Sequence, residues 1–181
     1  MATADAEGNV LTFRFNPDRH DSETLECCGD VHVGTCISRM VRCTMFEEGE
    51  AGPPPTTLTT KQRTALVYGT HSGSLGAIVP LDELSYKRLE LLQIVMTNVL
   101  CQRAGLNPRS FRLRRWRGGD RSPYRLNSRA SRQRSVADGA LLAEYLALDR
   151  SKQKELARAI GTSVHVIIET ILKIQHSISF F

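Results

Sequence analysis

Residues Gly69 to Arg112 read GTHSGSLGAIVPLDELSYKRLELLQIVMTNVLCQRAGLNPRSFR, and this stretch divides the chain into two kinds of structure. Its opening has the pattern of a β-hairpin. Thr64–Thr70 and Leu75–Val79 are apolar, β-prone runs flanking the turn His71–Ser72–Gly73–Ser74. After Pro80 the period lengthens. Asp82 sits where an N-cap belongs, and Leu84, Arg88, Leu91, Leu92, Val95, Met96, Val99 and Leu100 recur at helical spacing. Leu89 and Ile94 widen the apolar arc, which predicts a helix buried on more than one side. Gly105 is suited to a C′ position and Pro108 bars continuation, so the helix is expected to stop at Ala104–Gly105.

Upstream the period is that of strands. In Val10–Phe15 the residues Leu11, Phe13 and Phe15 share one face, and Asn16–Pro17–Asp18 is a turn signal. Leu25–Cys28 with Asp30–Gly34 reads as a second strand region and Ile37–Cys43 as a third. Glu47–Thr60, acidic and then rich in Gly, Pro and Thr, reads as an exposed loop. Short strands at this spacing point to a sandwich or a propeller blade. Downstream, Ala137–Leu148 carries a compact apolar face. Ser151 is placed to cap a short helix over Lys152–Ile160 that Gly161 ends. Ser163 is placed to cap a last one striped with Val164, Ile167, Ile168, Ile171, Leu172 and Ile174. No internal repeat is visible.

The net charge of +5 conceals a segregation. Between Arg109 and Arg134 ten arginines face the single acid Asp120, a net +9, which leaves −4 for the rest of the chain. Arginine suits phosphate because its planar fork donates two parallel hydrogen bonds and never loses its charge. Trp116 and Tyr124 lie among the arginines and are able to stack on bases. Candidate RNA-binding residues are therefore Arg109, Arg112, Arg114, Arg115, Trp116, Arg117, Arg121 and Arg125, beside the plainer reading of a solvated basic loop or a surface pairing with acidic faces. Ser122–Pro123 is a candidate phosphosite.

Other chemistry is not indicated. Cys27, Cys28, His32, Cys36 and Cys43 lack the close ligand pairs of a zinc finger, so no metal site is expected and the five cysteines read as reduced, half-buried thiols of the cytosol or nucleus. Gly69, Gly73 and Gly76 fit no phosphate loop and are explained by a hairpin turn. The five histidines are scattered and no G-x-S-x-G occurs, so no catalytic residues, no cofactor and no enzyme are expected. No apolar run approaches the roughly 18 residues of a membrane helix, and the N-terminus has neither the basic start nor the apolar core of a secretory signal.

GSLGAIVPLDELSYKRLELLQIVM (Gly73–Met96), AGLNPRSFR (Ala104–Arg112) and ADGALLAEYLALDRSKQKELARAIGTSVHVIIETI (Ala137–Ile171) resemble the C-terminal end of the CPSF A family. GNVLTFRFNPD (Gly8–Asp18) and DVHVGTCISRM (Asp30–Met40) resemble strands of that family's last propeller. The family comprises large proteins of three β-propellers with a C-terminal helical domain. Of its polyadenylation, ubiquitin-ligase adaptor and spliceosomal branches, AGLNPRSFR is most similar to the first. The resemblance implies an α+β chain, with antiparallel strands of a partial C-terminal β-propeller followed by an α-helical C-terminal domain. On this reading residues 1–80 hold the strands, with a loop at 47–63. Residues 81–181 hold the helices, with an Arg-rich insertion at 109–135 around RWRGGDRSPYR (Arg115–Arg125). The implied function is a non-catalytic scaffold in nuclear pre-mRNA 3′-end processing. Its implied partners are a WD-repeat and a zinc-finger subunit, with RNA contact at the arginines. The alternatives are an Arg-rich RNA-binding module, or a propeller adaptor of a ubiquitin ligase or spliceosomal complex.

Overall fold

The computed structural model describes residues 1–15, 25–46, 62–100, 112 and 135–178. The Asn16–Pro17–Asp18 turn, the 47–60 loop, Cys101 and Gly105 lie outside them. Strands come first and helices second, an α+β chain. Strands β1 (Ala2–Ala4), β2 (Asn9–Phe15) and β3 (Leu25–His32) form one antiparallel sheet in the order β1-β2-β3. A second sheet takes β4 (Ile37–Phe46), β5 (Gln62–Thr70) and β6 (Leu75–Ile78) in the order β4-β5-β6. Within each sheet every strand lies beside its sequence neighbour.

The turns are set by side chains. Between β1 and β2 the Asp5 carboxylate accepts the backbone N–H groups of Glu7 and Asn9, both at 2.9 Å. Gly8 there has φ +80°, and a Cβ on it would lie 2.8 Å from the Thr35 carbonyl oxygen, so glycine is required twice over. Between β5 and β6, Thr70 and Ser74 close the expected turn. The Thr70 N–H donates to the Ser74 carbonyl at 2.9 Å, and the Thr70 hydroxyl accepts the Ser74 N–H at 3.0 Å. Gly73 supplies the positive φ of +83°.

On β2, Asn9 and Val10 are buried, Leu11 and Phe13 are partly buried, and Phe15 is 62% exposed. The ladder to β3 carries a bulge: Thr12 pairs with Gly29 and Phe13 with Cys27, which leaves Cys28 without a ladder partner.

Helix α1 (Glu83–Val99) begins as expected, with the Asp82 carboxylate accepting the Ser85 N–H at 2.9 Å. It ends earlier than Ala104. Thr97, Asn98 and Val99 are poor helix formers, the Thr97 hydroxyl bonds the Gln93 carbonyl at 2.7 Å, and Leu100 is already extended. Nor is it buried on two sides. Leu89, Leu92 and Met96 are fully buried, whereas Leu84, Leu91 and Val99 stand exposed on the other part of the wide arc.

The expected helix Ala137–Leu148 splits into α2 (Gly139–Ala143) and a 3₁₀ turn, Glu144–Ala147. Gln153 explains the tightening. Its side-chain amide donates to the Tyr145 carbonyl at 3.0 Å, while the Tyr145 hydroxyl donates to the Gln153 carbonyl at 2.9 Å. Helix α3 (Arg150–Ala159) is capped by Asp149 rather than by Ser151, whose N–H and hydroxyl both donate to the Asp149 carboxylate. Gly161, at φ +72°, ends it in a Schellman motif: its N–H reaches the Arg158 carbonyl, and that of Thr162 reaches Ala157. Helix α4 (Val164–Ile178) starts at Ser163, whose hydroxyl accepts the Val166 N–H at 3.4 Å. Leu89, Leu92, Met96, Leu142, Tyr145, Leu156, Ala157, Ile167 and Ile171 pack into one core drawn from the helices alone.

Candidate interface at the joint of sheets and helices

Arg112 closes the AGLNPRSFR motif and is where the two halves meet. Its carbonyl accepts the His32 N–H at 3.0 Å, and its Nη1 donates to the His32 carbonyl at 3.4 Å, so it adds to the end of β3. On its other side the guanidinium meets Asp138 as a fork. Nε donates to Oδ2 at 2.7 Å and Nη2 to Oδ1 at 3.3 Å. The pair is largely withdrawn from water, with side-chain accessibilities of 22% for Arg112 and 10% for Asp138.

Asp138 is held for this role by local chemistry. As N-cap of α2 it accepts the Ala140 N–H at 3.1 Å, and its own N–H donates to the Gln93 side-chain carbonyl on α1 at 2.8 Å. On the sheet side, His32 is buried, with Nδ1 lying 3.0 Å from Asn9 Oδ1. Asn9 Nδ2 donates to Asp5 Oδ2 at 2.8 Å, which makes Asn9 Oδ1 the acceptor and His32 Nδ1 the donor. A continuous polar chain thus runs Asp5–Asn9–His32–Arg112–Asp138–Gln93. It begins at the first hairpin turn and ends on α1.

The second sheet reaches the same place through Tyr68. Its ring covers Gly76, its cross-strand partner, where a Cβ would come within 2.4 Å of the ring. Burial pushes the Tyr68 phenol above its ordinary pKa, the Arg112 charge pulls it down and the Asp138 charge pushes it up. Tyr86 on α1 lies near the far end of the basic segment. Burial, chiefly, with the Glu90 charge and hydrogen bond, pushes its phenol up to about 12, against a backbone hydrogen bond from Ser135 that lowers it. Residues 113–134 are therefore bounded by two anchored positions, Arg112 and Ser135.

Of the eight arginine-segment candidates, Arg112 alone falls among the described residues, and its guanidinium is occupied by Asp138 and His32. Arg109, Arg114, Arg115, Trp116, Arg117, Arg121 and Arg125 lie outside them. Asp138, His32, Asn9 and Gln93 were not singled out as site residues from sequence. The one local signal was Asp138 directly before Gly139–Ala140–Leu141–Leu142, the mark of an N-cap. Cys27, Cys28, Cys36 and Cys43 are partly buried thiols outside any disulfide, and among the described residues no three His, Cys, Asp or Glu side chains gather as a metal site.

A family model described as the CPSF A subunit region matches residues 1–147, which include both sheets, α1, the joint and α2. The chain is 32% identical over 183 aligned positions to cleavage and polyadenylation specificity factor subunit 1 of Arabidopsis thaliana, covering 99% of this chain. It is 29% identical to the protein of the same name from Drosophila melanogaster, covering 98%, and 26% identical to Protein cft1 of Schizosaccharomyces pombe, covering 99%. It spans 12% of the length of each of these relatives.

Proposed function

Because the chain belongs to the CPSF A subunit family, we propose that it is a non-catalytic scaffold of pre-mRNA 3′-end processing, acting in the nucleus. In this reading residues 1–80 are terminal strands of an incomplete β-propeller. Residues 81–181 are the helical C-terminal domain, with the basic segment 109–135 inserted. The partners are other cleavage and polyadenylation subunits, a WD-repeat and a zinc-finger protein among them. The relatives named for cleavage and polyadenylation favour this branch over the ubiquitin-ligase and spliceosomal ones.

The observation that carries the reading is the Arg112–Asp138 clasp. A scaffold must hold its binding faces at a fixed relation, and the largely desolvated fork ties strand and helix elements together at the end of AGLNPRSFR. Affinity capture with the tagged chain from nuclear extract tests it. Recovery of 3′-processing subunits is expected, and a recovered set lacking them would sink the proposal.

A second function rests on charge. The ten arginines against one acid between Arg109 and Arg134 support direct RNA contact, with Arg112 positioning the segment rather than touching phosphate. Replacing Arg114, Arg115, Arg117 and Arg121 by Gln should lower the salt slope of RNA binding by about 0.7 per lost contact. An unchanged slope would remove RNA contact and leave the scaffold reading standing.

A further inference from the structure

Helix α3 carries a second row of positive charge. Arg150, Lys154 and Arg158 recur every four residues, so they line one side of the helix at about 6 Å per step along its axis. All three are exposed, and none forms an ion pair among the described residues. Lys87 on α1 and Lys173 on α4 each pair with a glutamate one turn earlier, Glu83 at 2.5 Å and Glu169 at 2.8 Å.

Arg158, in the last turn, suits the helix dipole, but the rest of the row does not favour the helix. Like charges at i,i+4 repel, and Arg150 stands at the first helical position, where the macrodipole disfavours a cation. The adjoining side of α3 packs on the core through Gln153, Leu156 and Ala157, while the three cations of the row stay exposed. Charge is also segregated along the whole chain. Residues 109–134 hold +9 and α3 holds +3, which leaves −7 for everything else. A polyanion meets attraction at these two elements and net repulsion elsewhere.

We propose that Arg150, Lys154 and Arg158 form a second contact for the phosphodiester backbone of RNA, separate from the 109–134 segment. The row reads no bases. Three cations at one-turn intervals neutralise consecutive phosphates of an extended strand, which adds affinity without reading sequence. This deepens the RNA-contact reading and depends on it.

The test is a salt titration of the full chain binding a fluorescein-labelled oligouridylate. The variant R150Q/K154Q/R158Q should lower the slope of log affinity against log salt by about 2, at about 0.7 per released counterion. K152Q, on another side of the same helix, should leave the slope unchanged. The triple variant should keep its helical circular dichroism, since none of the three side chains packs in the core. A parental slope in the triple variant, or an equal loss in K152Q, overturns the proposal. If the variant at Arg114, Arg115, Arg117 and Arg121 loses binding while the α3 variant does not, the RNA reading survives and this one fails. If polyglutamate displaces the RNA at equal charge concentration, the row is a site for acidic protein segments and the proposal is equally wrong.

Discussion

The helical half and the strand half bury different things. Ten of the apolar residues buried among the described positions lie in the helices, from Leu89 to Ile171, and nine of them, all but Leu141, form a continuous core. Among the described side chains, the strands bury Val10, Val31 and Ala65 as apolar residues, beside the polar side chains of Asn9, His32 and Thr70. Apolar burial is the main favourable term in folding, at roughly 25 cal/mol per Å², whereas a satisfied buried hydrogen bond contributes a net of only about 1 kcal/mol. The helices therefore stabilise themselves. The strands depend on backbone ladders, on a polar chain that must be complete to be worth having, and on what they are fastened to. The clasp at Arg112 is the fastening.

The largest expected effect tests that contrast directly. Leu92→Ala should cost about 2–5 kcal/mol, because the site lies among packed side chains that cannot collapse around the hole. Val31→Ala removes less from a thinner core and should cost about 1–2 kcal/mol, on roughly 0.8 kcal/mol per buried methylene. Urea unfolding at constant slope measures both. Equal losses would mean that the strands carry a core as consequential as that of the helices.

Next comes the clasp itself. Arg112→Ala leaves the Asp138 carboxylate in a site with little access to water. Breaking a fully buried pair costs about 3–5 kcal/mol, and the partial accessibility here brings the expectation nearer to 2 kcal/mol. Native-state hydrogen exchange should show where the loss falls. The His32 N–H, which donates to the Arg112 carbonyl, and the neighbouring β3 amides should lose protection, while the amides around Leu89–Met96 keep theirs. Uniform loss in both halves would show one cooperative unit and would break the comparison.

How much of this was legible beforehand depends on how local the cause is. The β5–β6 turn and the Asp82 cap were readable because a few adjacent residues decide them, and the Gly161 stop likewise. The bulge at Cys28 was not, since it belongs to the register between two strands rather than to either sequence. Asp149 displaced Ser151 as the cap of α3 because both residue types serve, and the choice falls to where the helix packs. The Arg112–Asp138 pair joins residues 26 positions apart, across the most arginine-rich part of the chain. Charge count alone made Arg112 one candidate among many for RNA, and only the fold shows that its guanidinium is already spoken for.

The smallest effect expected is that of acid, and it should touch the helical half alone. Three carboxylates sit below their ordinary values of 4.5 for Glu83 and Glu169 and 3.8 for Asp149. The leading causes are hydrogen bonds from Lys87, Lys173 and Ser151 respectively. A carboxyl with a depressed folded pKa binds fewer protons folded than unfolded, so its contribution is present above the ordinary value and is lost as pH falls through the folded one. All three groups are exposed, and solvent screens such pairs to little net worth. Thermal melts should therefore shift downward slightly below about pH 4.5, and raised salt should shrink the shift further. The groups lie at the starts of α1 and α3 and on α4, so fraying there should appear first, with the strand amides unaffected by these three titrations. If the strand signals retreat first on acidification, carboxylates on the sheet side govern acid stability. The polar chain that starts at Asp5 would then be the place to look, and the helices would not be the half that acid reaches first.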